Sequence, residues 1–157
     1  MRIHIFLVFM IMFLISGCSF YQQNFKSTNY QSKNFSQEKL RSIAREWKNT
    51  PYVLGGTNKK GSDCSGFTQN VFAQFHTKIP RTTKAQLHSG KKISKKYLQT
   101  GDLVFFKTGR GPNAMHVGIY LSNNHFIHLS TKGGVKEVSL NDSYWKSKYI
   151  GAARYGL

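Results

Sequence analysis

Carboxylates are what this chain has least of. Six of its 157 residues are Asp or Glu, against 23 Lys and Arg, for a formal net charge of +17. The six are Glu38, Glu46, Asp63, Asp102, Glu137 and Asp142, spread along the chain. Such scarcity argues against a two-carboxylate glycosidase or a carboxylate-rich metal cage, although distant acids can meet in a fold. Cysteine is nearly absent as well, with only Cys18 and Cys64. No Cys-x-x-Cys or His-x-x-x-His pair announces a tight zinc motif. There is no internal repeat. Aromatics are plentiful, so the chain is not a disordered one, and its length suits one domain with a core of ordinary size.

Only one long apolar run exists, from Ile5 to Ile15. It is too short to span a bilayer comfortably and has the length of a signal-peptide core, with Arg2 as a weak positive start. It ends in Ile15-Ser16-Gly17-Cys18, which resembles the lipobox of bacterial lipoproteins. The resemblance implies cleavage before Cys18 and acyl chains on that residue, a firm anchor when two or more chains are present. The alternative is an ordinary secretory signal. Residues 1–17 are thus expected to be a lipoprotein signal peptide. Residues 18–35 are the lipidated cysteine and a Gln-, Asn-, Ser- and Lys-rich tether without periodicity. An exported, lipid-anchored chain belongs in the cell envelope, on the periplasmic face of the outer membrane if the host has two membranes. Its positive charge then suits anionic envelope polymers rather than nucleic acid.

The folded domain is expected over residues 36–157. Ser36 is a plausible N-cap with Glu38 in the first turn, and Leu40, Ile43, Ala44 and Trp47 share one helical face. That helix must stop before Pro51. A second amphipathic stretch carries Phe67, Val71, Phe72 and Phe75 at helical spacing, and Thr82 to His88 reads as a short third helix. The second half is strand-like: Leu103–Phe106, His116–Leu121, His125–Leu129, Val135–Val138 and Tyr149–Arg154, mostly separated by Gly or Asn. Helices first and an antiparallel sheet second is the α+β pattern.

Cys64 stands in Asp63-Cys64-Ser65-Gly66-Phe67, in the first turn of the second helix. Unsatisfied N–H groups and the helix dipole favour an anion there, which lowers a thiol's pKa toward the attacking thiolate form. The plainer alternative is a small buried hydrophobe. A thiolate nucleophile needs a base and an orienting group. Strand alternation puts Val117, Ile119 and Leu121 on one side, with His116, Gly118 and Tyr120 on the other. In the next strand Phe126 and His128 share a face. A three-residue turn at Ser122-Asn123-Asn124 gives paired residue numbers an even sum, so both histidines point to one side; an odd sum would separate them. His76, His88 and His125 read as surface residues. Cys64, His116 and His128 as a zinc site is the competing use of the same three side chains.

These residues carry a resemblance. Pro51-Tyr52-Val53-Leu54-Gly55-Gly56 and Asp63-Cys64-Ser65-Gly66-Phe67 resemble the nucleophile region of the NlpC-type family of bacterial cell-wall peptidases. Pro80-Arg81-Thr82-Thr83-Lys84-Ala85-Gln86 follows in the family's order. Gly101-Asp102-Leu103-Val104-Phe105-Phe106, His116-Val117-Gly118-Ile119-Tyr120 and Phe126-Ile127-His128 complete it. One departure is Leu54, where the family commonly has Trp, which affects one wall of the cleft and not the chemistry. The resemblance implies a papain-like α+β fold and no cofactor. It implies Cys64 as nucleophile, His116 as base and His128 as orienting residue. It implies hydrolysis of the γ-D-glutamyl bond to a diamino acid in peptidoglycan stems, or of a D,D cross-link. Tyr52, Asp63, Ser65 and Arg81 are the oxyanion and substrate candidates. Asp63 either caps the helix or binds a free stem-peptide amine, and Arg81 either meets a substrate carboxylate or is a surface charge, the latter preferred. Two other functions stay open at this point: an acyltransferase or amidase on the same scaffold, and a non-catalytic wall-binding lipoprotein.

Overall fold

The structure is a computed structural model that describes residues 35–109 and 114–156. The apolar run and Cys18 lie outside the described residues. Helix α1 (Gln37–Glu46) is capped by Ser36, whose side chain accepts from Lys39 N–H, and it buries Leu40 and Ile43. A short hairpin, β1 (Thr57–Asn58) and β2 (Gly61–Ser62), leads into α2 (Cys64–Gln74), and α3 (Thr83–Ser89) follows. The remaining strands are β3 (Lys91–Ile93), β4 (Leu103–Lys107), β5 (Met115–Tyr120), β6 (His125–Leu129), β7 (Val135–Ser139) and β8 (Tyr149–Arg154). A 3₁₀ turn at Lys95–Tyr97 and helix α4 (Ser143–Lys148) complete the chain. The six long strands form one antiparallel sheet in the order β3-β8-β4-β5-β6-β7. The fold is α+β.

The sheet is covered on both faces. On one, Leu40, Ile43, Phe67, Val71 and Phe72 of the helices pack on Leu103, Phe105, Val117, Ile119, Ile127 and Leu129. On the other, Val104, Phe106, Tyr120 and Phe126 gather under Leu140 and Trp145. This explains why Leu103-Val104-Phe105-Phe106 does not alternate: a strand buried on both faces reads as a continuous apolar run. Phe35, the last residue of the stretch read as a tether, packs on Phe72 and Phe75 with ring centroids 4.8 and 4.1 Å away. Asn123 and Asn124 take left-handed backbone (φ 48° and 60°), closing the β5–β6 hairpin. Ile119 lies opposite Ile127 and Tyr120 opposite Phe126, an even sum, so His116 and His128 share a face.

Candidate active site

Asp63 fixes where the α2 helix begins. Its backbone is extended (φ −98°, ψ 176°) and its Oδ1 accepts from Gly66 N–H at 2.7 Å, leaving Cys64 as the first helical residue. Gly66 lets this turn sit against the preceding loop: a Cβ there would come 2.3 Å from the Gly56 carbonyl oxygen. The thiol is 4 % exposed, and Thr83 Oγ1 lies 3.6 Å from Cys64 Sγ. The expected depressed thiol pKa is not what this environment gives. Burial pushes the Cys64 thiol up, against the pull of the Thr83 hydroxyl and of the Val117 and Ser65 backbone N–H groups. Removing the sulfur from water costs the anion more than the helix start returns, so the resting group is a thiol.

The histidines meet as the register requires. His116 Nε2 and His128 Nδ1 are 2.9 Å apart, and both residues are buried. Trp145 covers them, its ring centroid 5.6 Å from that of His116 and 4.8 Å from that of His128. Burial lowers the His116 pKa to about 4; burial and the neighbouring His116 lower that of His128 to about 3. Both imidazoles are neutral at pH 7. Sγ sits at the Val117 N–H, one residue along β5 from His116, and among the described residues its side-chain partner is Thr83 rather than His116. The three are not grouped as ligands for a metal ion among the described residues.

A cleft of about 580 Å³ opens on Cys64 and is lined by Tyr52, Leu54, Asp63, Ser65, Arg81, Thr82, Thr83, Lys84 and Met115 among others. All four oxyanion and substrate candidates therefore line one cleft with Cys64, while His116 and His128 are not among its walls. Tyr52 has its pKa pushed up to about 12, first by burial and then by Cys64 and Asp63, so its hydroxyl remains a neutral donor. Arg81 is not the surface charge expected. Its guanidinium grips both Asp63 oxygens at 2.9 and 2.8 Å, and also donates to Ser65 Oγ and the Gly56 carbonyl. Desolvation alone would raise the Asp63 pKa, but Arg81 and the Gly66 and Gly55 N–H groups hold it below the usual carboxylate value. Asp63 is the helix cap and the partner of Arg81 at once.

A family model described as the NlpC/P60 family matches residues 49–154. The chain belongs to the NlpC/P60 family. A Haemophilus influenzae protein named probable endopeptidase is 43 % identical over 151 residues, 92 % of each chain. Murein DD-endopeptidase MepS/murein LD-carboxypeptidase of Escherichia coli is 49 % identical over 110 residues, 69 % of this chain and 57 % of that protein. A solved Staphylococcus aureus structure of the NLP/P60 family, described as similar to lipoprotein, superposes with a TM-score of 0.68 at 31 % identity, over 87 % of this chain and 46 % of that one. Within the NlpC/P60 sequence pattern, structure supplies reasons that motifs do not state. The Pro80–Gln86 segment ends in Gln86 because that side chain, fully buried, donates to the Ser65 and Pro80 carbonyls and accepts from Thr68 Oγ1, tying α3 to the nucleophile helix. Leu54, the departure from Trp, is 85 % exposed on the cleft rim. Thr83 and Trp145 were missed as functional residues. Thr83 was legible only as part of a motif, and Trp145 sits in a helix too short to show periodicity.

Proposed function

We propose that this NlpC/P60 cysteine peptidase hydrolyses amide bonds of peptidoglycan stem peptides, with Cys64 as nucleophile, His116 as base and His128 holding His116 in place. The observation that carries the reading is a buried thiol at a helix start on a substrate-sized cleft, together with a buried, hydrogen-bonded histidine pair whose β5 member adjoins Val117, the residue whose backbone bears on the thiol. We assign the proton of the 2.9 Å His116 Nε2–His128 Nδ1 hydrogen bond to His116 Nε2, the tautomer that leaves His116 Nδ1 unprotonated as the base. Because thiol and imidazole are both neutral at rest, the proton leaves Sγ for His116 as sulfur attacks the carbonyl carbon, rather than beforehand. The Cys64 backbone N–H and the Tyr52 hydroxyl are the donors for the oxyanion. The imidazolium then gives its proton to the departing amine. Water, deprotonated by His116, cleaves the thioester and restores the thiol.

The name of the E. coli relative favours the D,D cross-link over the γ-D-glutamyl bond. Of the two roles open to Asp63, the structure supports the cap rather than a stem-peptide amine site. Its two oxygens already accept from Gly66 N, Gly55 N, Ser65 Oγ and both Arg81 amino groups, against about four lone-pair sites on a carboxylate. A free stem-peptide amine finds no vacancy there. The lipobox-like Ile15–Cys18 stretch supports lipidation at Cys18 and a place in the cell envelope, and the charge supports contact with anionic envelope polymers. Cys18→Ser should block processing at that bond and abolish incorporation of labelled fatty acid; unchanged processing and membrane fractionation would end the lipoprotein reading.

Digestion of purified sacculi, followed by mass spectrometry of the muropeptides, tests the activity. Cross-linked dimers should give way to monomers. Cys64→Ser and His116→Ala should each abolish this with the fold retained, and the double variant should be no worse than either. His128→Ala should be milder, and His128→Asn should recover part of the rate through its amide oxygen. Wild-type digestion by folded Cys64→Ser would overturn the assignment.

A further inference from the structure

Among the described residues, three charged side chains line the cleft: Asp63, Arg81 and Lys84. The first two cancel. Arg81 spends its guanidinium on Asp63, Ser65 and the Gly56 carbonyl, and Asp63 is filled by those donors together with the Gly55 and Gly66 N–H groups. Lys84 has no such partner. Among the described residues the ion pairs are Arg41–Glu137, Lys59–Glu46, Arg81–Asp63 and Arg154–Asp102, and none involves Lys84. The two remaining acids stand at helix starts away from the cleft walls, Glu38 in the first turn of α1 and Asp142 as the cap of α4. The cleft therefore presents one uncompensated charge, and it is positive.

Its position is set by its neighbour. Lys84 follows Thr83, whose hydroxyl lies 3.6 Å from the nucleophilic sulfur. Neighbours on a helix do not share a direction, but Lys84 lines the same cleft as Cys64 and Thr83, and its long flexible stem lets the ammonium reach groups flanking the reacting carbon. Thr82 and Thr83 line the same cleft, while Tyr52, Leu54 and Met115 supply apolar and aromatic wall.

We propose that Lys84 forms a carboxylate subsite, which selects stem peptides bearing a free carboxylate within one residue of the scissile amide over the same peptides with that carboxylate amidated. This rests on the stem-peptide reading above and names a feature of its substrate. Lysine suits the task as a point charge on a flexible stem that accepts a carboxylate from more than one direction. Because the side chain is exposed, the contact is screened by solvent, and the discrimination it gives is roughly three- to fivefold.

The test uses the full chain and cross-linked stem peptides whose carboxylates flanking the scissile bond are converted to carboxamides one at a time. Wild type should show a roughly three- to fivefold higher kcat/KM for the free carboxylate at one such position at low salt. The preference should shrink at high salt, over which the screening length falls to a few ångströms. Lys84→Arg should keep the preference, Lys84→Gln should erase it and Lys84→Glu should reverse it. The same ratios, read as binding to the Cys64→Ala protein, remove dependence on turnover. Equal rates for carboxylate and carboxamide in wild type, or a preference that survives in Lys84→Gln, would overturn the subsite. Failure of wild type to cut any of these peptides, with the binding preference intact, would instead count against the peptidase reading and leave the subsite standing.

Discussion

At the residue scale the decisive quantity is the state of the Cys64 proton. The motif suggested a pre-formed thiolate, but a thiol that is 4 % exposed loses more hydration on ionising than a helix start and three donors return. Alkylation should report this directly. Iodoacetamide reacts with thiolate, so labelling of Cys64 should be slow at pH 7 and climb steadily as pH rises, with no plateau near neutrality. Thr83→Val, which removes one of the groups lowering the thiol pKa, should slow labelling several-fold at a fixed alkaline pH. A fast, pH-independent reaction at neutrality would show that the thiolate is pre-formed. Arg81 gives a second prediction. Arg81→Met leaves the Asp63 carboxylate buried with its strongest partner gone, and because Arg81 is itself part-exposed the cost should be roughly 2 to 3 kcal/mol in urea unfolding. Adding Asp63→Asn should recover part of that loss, since the pair is coupled. What sequence could give here was the residue types and their order. It could not give burial, and burial set both the protonation state of Cys64 and the pairing that took Arg81 off the surface.

At the scale of elements, the β5–β6 hairpin was legible and its cover was not. Alternation and the Ser122–Asn124 turn narrowed the hairpin to two registers, one of which puts His116 and His128 on one face, and the structure has that one. Gly118 has its reason in the same hairpin: a Cβ there would lie 2.5 Å from the Phe126 ring and 2.7 Å from the Ile127 carbonyl oxygen. Helix α4 left no comparable signal. Six residues make too little of a helix for periodicity, and its role depends on contacts with strands far away in sequence. Yet its Trp145 packs on His116, His128, Phe106 and Phe126 together, and it is part of what keeps water from the pair. The consequence is a pH profile. A base must be unprotonated, so if His116 is the base as proposed, its pKa lowered to about 4 should keep activity well into acid. Trp145→Ala should hydrate the pair and bring the acid limb of kcat/KM up toward the ordinary histidine value of 6.5. The fold should persist, checked by circular dichroism. An acid limb that stays in place in a folded variant would show that Trp145 does not set the pKa.

At the scale of the whole molecule, the α+β order of helices and then sheet was readable from the chain, since each half has its own hydrophobic period. The second covered face of the sheet was hidden in a four-residue apolar run that fits more than one reading. Charge is the remaining whole-molecule property, and here the structure sharpens the composition. Of six acids, four are drawn into ion pairs with Arg41, Lys59, Arg81 and Arg154, which leaves only Glu38 and Asp142, both at helix starts, against the other 19 Lys and Arg. Lys91, Lys92, Lys95, Lys96 and Lys146 are all exposed. A surface of that kind holds anionic polymers through many weak contacts, each screened by salt, whereas attack by Cys64 takes place at a buried sulfur that salt reaches far less. Binding of the protein to purified sacculi should therefore fall steeply between about 20 and 150 mM salt, as the screening length contracts toward 8 Å. Hydrolysis of a small stem peptide should change only by the modest factor expected of one exposed contact. If sacculus binding held constant across that range, the attachment would be a specific pocket and not the distributed charge. If peptide turnover fell in step with binding, the charge would be acting within the cleft itself.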